Sequence, residues 1–540
     1  MIRLPFPDED GIDEAAYHMD LPMDLPIKPR IAYLAVSIAA LLVYFDTINY
    51  PFHFDDSRAI VENLWLRDIS NFWPPAGTRY VGFLSFALNY AYGGLNAASY
   101  HLVNIAVHLA NAVLTAALVF TLFRTPALKK AFSDGWTVAA IAVTAALVFA
   151  VHPVQTQAVT YIVQRFASLA TFFYLLSVVS YLKARLEAGE KGTRHRGAAL
   201  YAIALFSAVL AMMTKETAFT LPFAIALCEV MFFTGAFRRF YYVLPFLLTL
   251  PLIPLNLMAS SGYSEDFFGA LVDASAPADT ISRGAYFLTQ SRVMVTYVRL
   301  LFFPVRQNLD YDYPVYGSFF EPEVLLSFIL LSALFAFAVW LFARSRRTAN
   351  GYALLGSFGI FWFFLTLSVE SSVIPIKDVI FEHRLYLPLA GAAIGFSSAV
   401  FYAAGRLRVN AAVAFCLVLI AAVAPLSIAA HKRNLVWRDG ITLWRDVVKK
   451  SPEKYRGHIN LGRAYAIAGL FDEAEREFKK VLSLKPGYAT MYYNLGVVYE
   501  EKGLADKATA AYAEALRLEP NHQKAADALG SRTNRVPPIR

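Results

Sequence analysis

Prolines recur at Pro452, Pro486 and Pro520, a strict period of 34 residues near the C-terminal end of the chain. The same residue types return around that beat: Asn460 and Asn494, Leu461 and Leu495, Gly462 and Gly496, Tyr465 and Tyr499, Gly469 and Gly503, Ala474 and Ala508, Phe478 and Tyr512, Leu482 and Leu516. A period of this length is one pair of helices, closed by a proline that cannot continue the second helix. Such a unit buries its apolar face only by stacking on neighbours, so residues 431–529 read as a short solenoid. Residues 439–452 supply the second helix of a truncated first repeat, because Trp444 and Val448 lie one period before Phe478 and Leu482. Two full repeats follow. So short an array needs cover for its faces, which predicts that it packs on the rest of the chain.

The pattern is the tetratricopeptide signature, a protein-binding repeat. Everything before residue 431 obeys a different rule. The chain has 540 residues, of which 57% are hydrophobic and only 17% charged. That surplus of apolar residues reads as a multi-pass membrane protein. The net charge of +8 does not point to nucleic acid, since the basic residues sit mostly in short loops between apolar segments. Cys228 and Cys416 both lie inside apolar segments, where no disulfide or metal pair is expected. The acidic tail 1–30 lacks the basic start and apolar core of a signal peptide. The first apolar segment, just after Lys28 and Arg30, is expected to serve as an uncleaved insertion signal.

A membrane helix needs about 20 apolar residues. Eleven segments qualify, near 31–49, 99–123, 136–151, 166–182, 197–213, 216–234, 240–259, 322–343, 351–370, 385–404 and 411–430. Basic loops follow every even one: Arg124, Lys129 and Lys130; Lys183, Arg185, Lys191, Arg194 and Arg196; Arg238 and Arg239; Arg344, Arg346 and Arg347; Arg406 and Arg408. Positive loops stay inside, so the N-terminus is expected in the cytoplasm and the solenoid outside it. Residues 283–304 are long and apolar but hold Arg283, Arg292 and Arg299; Thr289, Arg292, Thr296 and Arg299 form one polar stripe. This segment is expected to lie at the outer interface rather than to span. The domains are then a tail 1–30, a membrane domain 31–430 with outer loops 50–98, 260–321 and 371–384, the repeats 431–529, and a tail 530–540.

The outer loops are polar enough to carry chemistry. Asp55-Asp56 follows Phe52-His53-Phe54 and offers a carboxylate general base. Asp56, just before Ser57-Arg58-Ala59-Ile60, equally reads as a helix N-cap. Residues 79–90 set Arg79, Ser85 and Asn89 on one face. His101, Asn104, His108 and Asn111 form a stripe inside the second segment, where polar groups either line a cavity or bind neighbouring helices. Gln157, Tyr161 and Arg165 form another. Lys215-Glu216 and Glu382-His383-Arg384 fall on the same expected side. Cations gathered there suit an anionic lipid headgroup, whose phosphate Arg or Lys neutralises as a leaving group.

Phe52-His53-Phe54-Asp55-Asp56, Asn89-Tyr90 with Gly93-Gly94-Leu95-Asn96, Tyr100-His101-Leu102-Val103-Asn104, His152-Pro153-Val154-Gln155, Lys215-Glu216 and Glu382-His383-Arg384-Leu385-Tyr386-Leu387-Pro388 occur together and in order. In this the chain closely resembles the transmembrane and tetratricopeptide repeat-containing O-mannosyltransferases of the glycosyltransferase C superfamily, over roughly residues 50–525. The resemblance implies an all-α fold: a polytopic helix bundle followed by a repeat solenoid. It implies inverting, metal-independent transfer of a sugar, mannose-like, from a polyprenyl phosphate donor to Ser or Thr of an exported protein. The acidic residue that such enzymes place in the first outer loop falls on Asp55-Asp56.

On this reading Arg384 binds the donor phosphate, with His383, Arg165, Lys215, Arg292 and Arg299 as further candidates. Glu382 is expected to orient Arg384, with Glu216, His101, Asn104 and Arg79 in support. Tyr455, Asn460, Arg463, Tyr492 and Asn494 are candidates for binding the acceptor or a partner. No cofactor or metal site is expected; a divalent ion on Asp55-Asp56 is the alternative. The expected partners are the lipid-linked sugar, an exported acceptor protein and membrane lipid, with no nucleic acid. The short array favours a bacterial inner membrane with periplasmic repeats; the endoplasmic reticulum is the alternative. Two other functions share the sequence features: oligosaccharide transfer from a lipid diphosphate, and a non-enzymatic membrane-anchored scaffold.

Overall fold

The computed structural model describes residues 27–188, 193–233, 240–261, 281–376 and 378–533. Most of the tail 1–30, residues 262–280 of the second long loop, the end of the tail 530–540, and Lys191, Arg238 and Arg239 lie outside the described residues. Among those described there is no strand; the chain is all helix and connection.

Among the described residues seven helices are long and apolar enough to cross a membrane: Pro29–Asn49, Ala97–Phe123, Ile162–Glu187, Arg194–Met212, Pro322–Thr348, Pro388–Arg406 and Ala411–Leu435. Gly135–Val151 and Pro153–Val159 make an eighth if taken as one span, bent by 48° at the proline that cannot join the ladder. Three of the eleven apolar segments form shorter helices, Leu221–Phe232, Phe240–Asn256 and Gly351–Leu367. Arg283–Phe302 is a single 20-residue helix and is not among the apolar spans. Its threonines turn to the chain that follows: Thr289 Oγ1 accepts from the Tyr316 N–H at 3.0 Å, and the Thr296 and Tyr313 hydroxyls are 2.8 Å apart.

Close helix contact needs small residues where lipid supplies no hydrophobic drive. Gly359 shows this: a Cβ there would sit 2.4 Å from the Gly391 carbonyl oxygen. That contact seats Gly351–Leu367 against Pro388–Arg406, the helix that residues 382–387 lead into. The polar stripe in Ala97–Phe123 binds helices rather than lining a cavity. His108 joins the Tyr386 hydroxyl at 2.7 Å and the Ala150 carbonyl at 2.9 Å. Asn111 donates to the Ser168 carbonyl at 2.8 Å and to the Tyr386 hydroxyl at 3.1 Å.

The repeats are the helix pairs Tyr455–Ile467 with Phe471–Leu484 and Ala489–Glu501 with Ala505–Leu518, flanked by Gly440–Lys450 and Gln523–Thr533. Their recurrent glycine has a packing cause. A Cβ on Gly462 would lie 2.5 Å from the Phe478 ring, and one on Gly496 2.4 Å from the Tyr512 ring. The array packs on the rest of the chain, as its shortness predicts. Trp437 is fully buried, and its carbonyl accepts from His53 Nε2 at 2.6 Å. Trp444 meets Phe54 edge to face at 5.3 Å, and Asn308 donates to Ser451 Oγ at 2.9 Å.

Candidate functional site

The adjacent carboxylates have separate environments. Asp56 is buried and locked: Oδ2 accepts from the His53 N–H at 2.9 Å and Oδ1 from the Val163 N–H at 2.7 Å. Its side chain makes no cap bond to the short helix Ser57–Val61, so it ties the loop to the bundle instead of capping. Burial pushes Asp56 up to about 8, against those two N–H donors. Asp55 is exposed. The Tyr161 hydroxyl donates to its Oδ2 at 2.8 Å and accepts from its N–H at 2.9 Å. Although its side chain reaches solvent, the protein packed around it strips part of the hydration from the Asp55 carboxyl and raises it above the ordinary carboxylate value, while Tyr161 and Arg456 pull it down. Phe54, immediately before it, has φ 48°, a left-handed backbone costing about 1–3 kcal/mol in a non-glycine residue.

The expected cations divide into two groups. Lys215, His383 and Arg384 line one cleft, with Thr171, Thr217, Thr366 and Glu370. Lys215 Nζ lies 2.8 Å from Glu370, and Arg384 Nε 3.9 Å from the same carboxylate. Arg384 is fixed further by the Val379 and Asp378 carbonyls at 3.0 and 2.8 Å. Two cations against one carboxylate leave one positive charge over. The His383 ring is set by Gln157, whose Oε1 accepts from the His383 N–H at 2.7 Å and lies 3.2 Å from Nδ1. An oxygen there only accepts, so Nδ1 carries the proton and Nε2 is left as an acceptor. Burial, then the charges of Lys215, Arg384 and Arg79, keep this imidazole neutral, well below its usual value. Arg79 and Glu216 pair at 3.0 Å on an adjoining cleft that shares Lys215.

The remaining cations sit elsewhere. Arg165 is fully buried and donates to Asn104 Oδ1, the Ser85 carbonyl and the Tyr100 carbonyl at 2.7, 3.2 and 2.9 Å. It staples three elements and lines neither cleft. Asn104 also donates to the Val159 and Ile162 carbonyls, and His101 is held by the Tyr50 carbonyl at 3.1 Å. Arg292 reaches Thr296, and Arg299 the Val305 carbonyl at 3.0 Å, away from both clefts. Glu382 does not orient Arg384. It accepts from Gln307 Nε2, the Asn308 N–H and the Tyr311 hydroxyl at 2.8, 2.6 and 2.6 Å, and so shapes the 307–311 segment. Glu370, missed because it closes an apolar segment, takes the place beside Arg384.

On the repeats, Tyr455 and Tyr488 meet edge to face at 6.1 Å with Lys485 over both rings. Asn460 donates to the Arg456 carbonyl, Asn494 reaches Met491 Sδ, Arg463 is exposed and Tyr492 half-buried. Among the described residues no three His, Cys, Asp or Glu side chains gather as for a metal. Neither Asp55 nor Asp56 lines the cleft of Arg384. The link between them is one segment: Gln157 holds His383, and Tyr161, one helical turn on, holds Asp55.

Comparison with known proteins agrees with the resemblance read from the motifs. Models described as TPR repeat and Tetratricopeptide repeat match residues 462–503 and 489–522. Protein O-mannosyl-transferase TMTC2 of Mus musculus is 39% identical over 170 residues, 28% of this chain and 19% of its own length. Protein O-mannosyl-transferase F38B6.6 of Caenorhabditis elegans is 25% identical over 83% of this chain and 62% of its own length. Protein O-mannosyl-transferase Tmtc3 of Drosophila melanogaster is 24% identical over 85% and 56%. The chain thus spans less than two thirds of each. Among solved structures, a chain of the APC/C hetero-tetramer Cut9-Hcn1 matches 84% of this chain and 89% of its own at 15% identity and a TM-score of 0.20, too low to bear on the fold.

Proposed function

We propose that the protein is an integral-membrane O-glycosyltransferase that moves a mannose-like sugar from a polyprenyl phosphate to Ser or Thr of an exported protein. The observation that carries this reading is an exposed carboxylate, Asp55, joined by residues 157–161 to a cleft lined by Lys215, His383 and Arg384. The names of the relatives support the same chemistry. Eleven spans with the N-terminus in the cytoplasm would set the repeats on the side where exported proteins pass, in a bacterial inner membrane.

In this mechanism Asp55 takes the proton from the acceptor hydroxyl as that oxygen attacks the anomeric carbon. The carbon–oxygen bond to phosphate breaks on the opposite face, and polyprenyl phosphate leaves with the electron pair. The donor phosphodiester carries one negative charge, matched by the one positive charge left over around Glu370. The leaving group gains a further charge, which Lys215 and Arg384 stabilise more strongly than the ground state. Neutral His383 accepts from a sugar hydroxyl through Nε2. Asp56 holds the loop so that Asp55 is aimed.

The test supplies detergent-solubilised protein with radiolabelled polyprenyl phosphate-sugars and a lysate of exported proteins. Transfer lost in Asp55→Asn and Arg384→Ala, but present in wild type, supports the reading. Transfer that survives both substitutions removes this site. Transfer from lipid diphosphate donors alone turns the reading to oligosaccharide transfer.

A further inference from the structure

Three long loops and the repeats meet at one guanidinium. Arg456 lies on the first helix of the first full repeat, Tyr455–Ile467. It donates to both oxygens of Asp310 at 2.6 and 2.5 Å, and to both oxygens of Asp378 at 3.3 and 2.6 Å. It also stands 5.6 Å from the centre of the Phe54 ring, on the side chain's cation–π face. Phe54, Asp310 and Asp378 belong one each to the loops 50–98, 260–321 and 371–384.

Two of these contacts touch the site. Phe54 precedes Asp55 and holds the left-handed backbone noted above, a conformation that persists only when its surroundings over-determine it. The Phe54 carbonyl accepts from the Ser57 N–H at 3.2 Å, and its ring meets Trp444 and Arg456, both from the C-terminal domain. Asp378 gives its carbonyl to Arg384 and its carboxylate to Arg456. One side chain of the repeats therefore fixes the residue before the base and the residue that braces the phosphate ligand.

We propose that Arg456 is a positioning residue of the transfer site, so that the repeat domain completes the active site of the membrane domain as well as meeting the acceptor. This rests on the function proposed above. The alternative, in which Arg456 only docks the domain, leaves catalysis unchanged once the domain is docked. The two separate cleanly because docking has other supports: Lys454 also pairs with Asp310 at 2.5 Å, and Lys450 donates to the Gln307 carbonyl at 2.6 Å. Full-length Arg456→Ala accordingly keeps Asp310 paired.

The charged groups facing Asp55 are Asp56 and Arg58 from its own loop, Tyr161 from the bent segment, Asp378 and Arg456. Losing Arg456 removes a cation and leaves Asp378 only the longer ion pair to Lys454 at 3.9 Å, and both changes raise the Asp55 carboxyl further.

The experiment measures transfer from a radiolabelled polyprenyl phosphate-sugar to a synthetic Ser/Thr peptide by wild type, Arg456→Ala, Arg456→Lys and Asp378→Asn. Arg456→Ala should lose about 10-fold to 100-fold in kcat, as small misplacements do, with the peptide KM unchanged and the acid limb moved to higher pH. Arg456→Lys should restore part of both, and Asp378→Asn should shift kcat in the same direction with docking intact. A wild-type kcat and pH limb in Arg456→Ala, or a rise in peptide KM alone, overturns the proposal. Hydrogen exchange supplies a readout without turnover: amides 53–57 and 378–384 should exchange faster together in Arg456→Ala, and unchanged exchange at either overturns it. A wild-type protein that transfers nothing while the two segments loosen together would defeat the functional reading but leave the coupling standing.

Discussion

Tyr161 and Asp55 exchange two hydrogen bonds, hydroxyl to Oδ2 at 2.8 Å and backbone N–H to hydroxyl at 2.9 Å. The pair fixes the rotamer of the exposed carboxylate and leaves Oδ1 without a hydrogen-bond partner among the described residues. Tyr161→Phe removes both bonds and little volume. A hydrogen bond to a charged group contributes about 1.5–3 kcal/mol, which is roughly 10-fold to 100-fold in rate. The expected result is a kcat lowered by that factor with an unchanged donor KM, read in the label-transfer assay.

The same bond sets a pH dependence. On the proposed mechanism Asp55 works as a base only when ionised, so transfer should rise with pH through its pKa. Partial dehydration by the protein packed around it raises that pKa above the ordinary value of 3.8, and the Tyr161 hydroxyl lowers it. The acid limb should therefore lie above 3.8 in wild type and move to still higher pH in Tyr161→Phe. A pH profile of kcat/KM for the two proteins measures the shift.

Asp55→Asn and Asp56→Asn should separate chemistry from folding. Asp55→Asn is expected to abolish transfer at an unchanged melting temperature. In Asp56→Asn one amide N–H₂ replaces an acceptor facing a backbone N–H, at His53 or Val163. An unsatisfied buried group costs about 1–3 kcal/mol. Thermal unfolding in detergent should show that loss in Asp56→Asn alone.

Lys215 and Glu370 are both buried, with side chains 7% and 9% exposed. Lys215→Met leaves the Glu370 carboxylate with Arg384 at 3.9 Å as its remaining ion-pair partner. Breaking a buried pair from one side costs about 3 kcal/mol. The double variant Lys215→Met, Glu370→Leu should recover only part of that stability, because buried Arg384 then loses its carboxylate partner, while transfer stays lost if Lys215 binds phosphate as proposed. Melting curves and transfer assays on the three proteins check both halves.

Much of the site was legible because polar residues in an apolar chain stand out. Asp55, His383, Arg384 and Lys215 were visible as charges next to apolar segments, and three of them line one cleft. Arg165 and Asn104 were equally visible and proved to bind each other at 2.7 Å inside the bundle. A charge that lines a cleft and a charge that staples helices look alike in sequence. Glu370, Asp378 and Arg456 carried no such signal: each sits in a stretch whose neighbours explain it as a segment end, a loop or a repeat face.

The sequence by itself determined the helices, the 34-residue repeat and its glycines, and the polar loops between apolar segments. Those features are local, set by apolar periodicity, proline and the space beside Phe478 and Tyr512. Only the tertiary structure decided that Asp55 is exposed while Asp56 is locked, and that Arg456 closes on Phe54, Asp310 and Asp378 across 402, 146 and 78 residues of chain. Partners so far apart are chosen by how the folded elements pack, because no local pattern constrains which distant side chain will fill a given space.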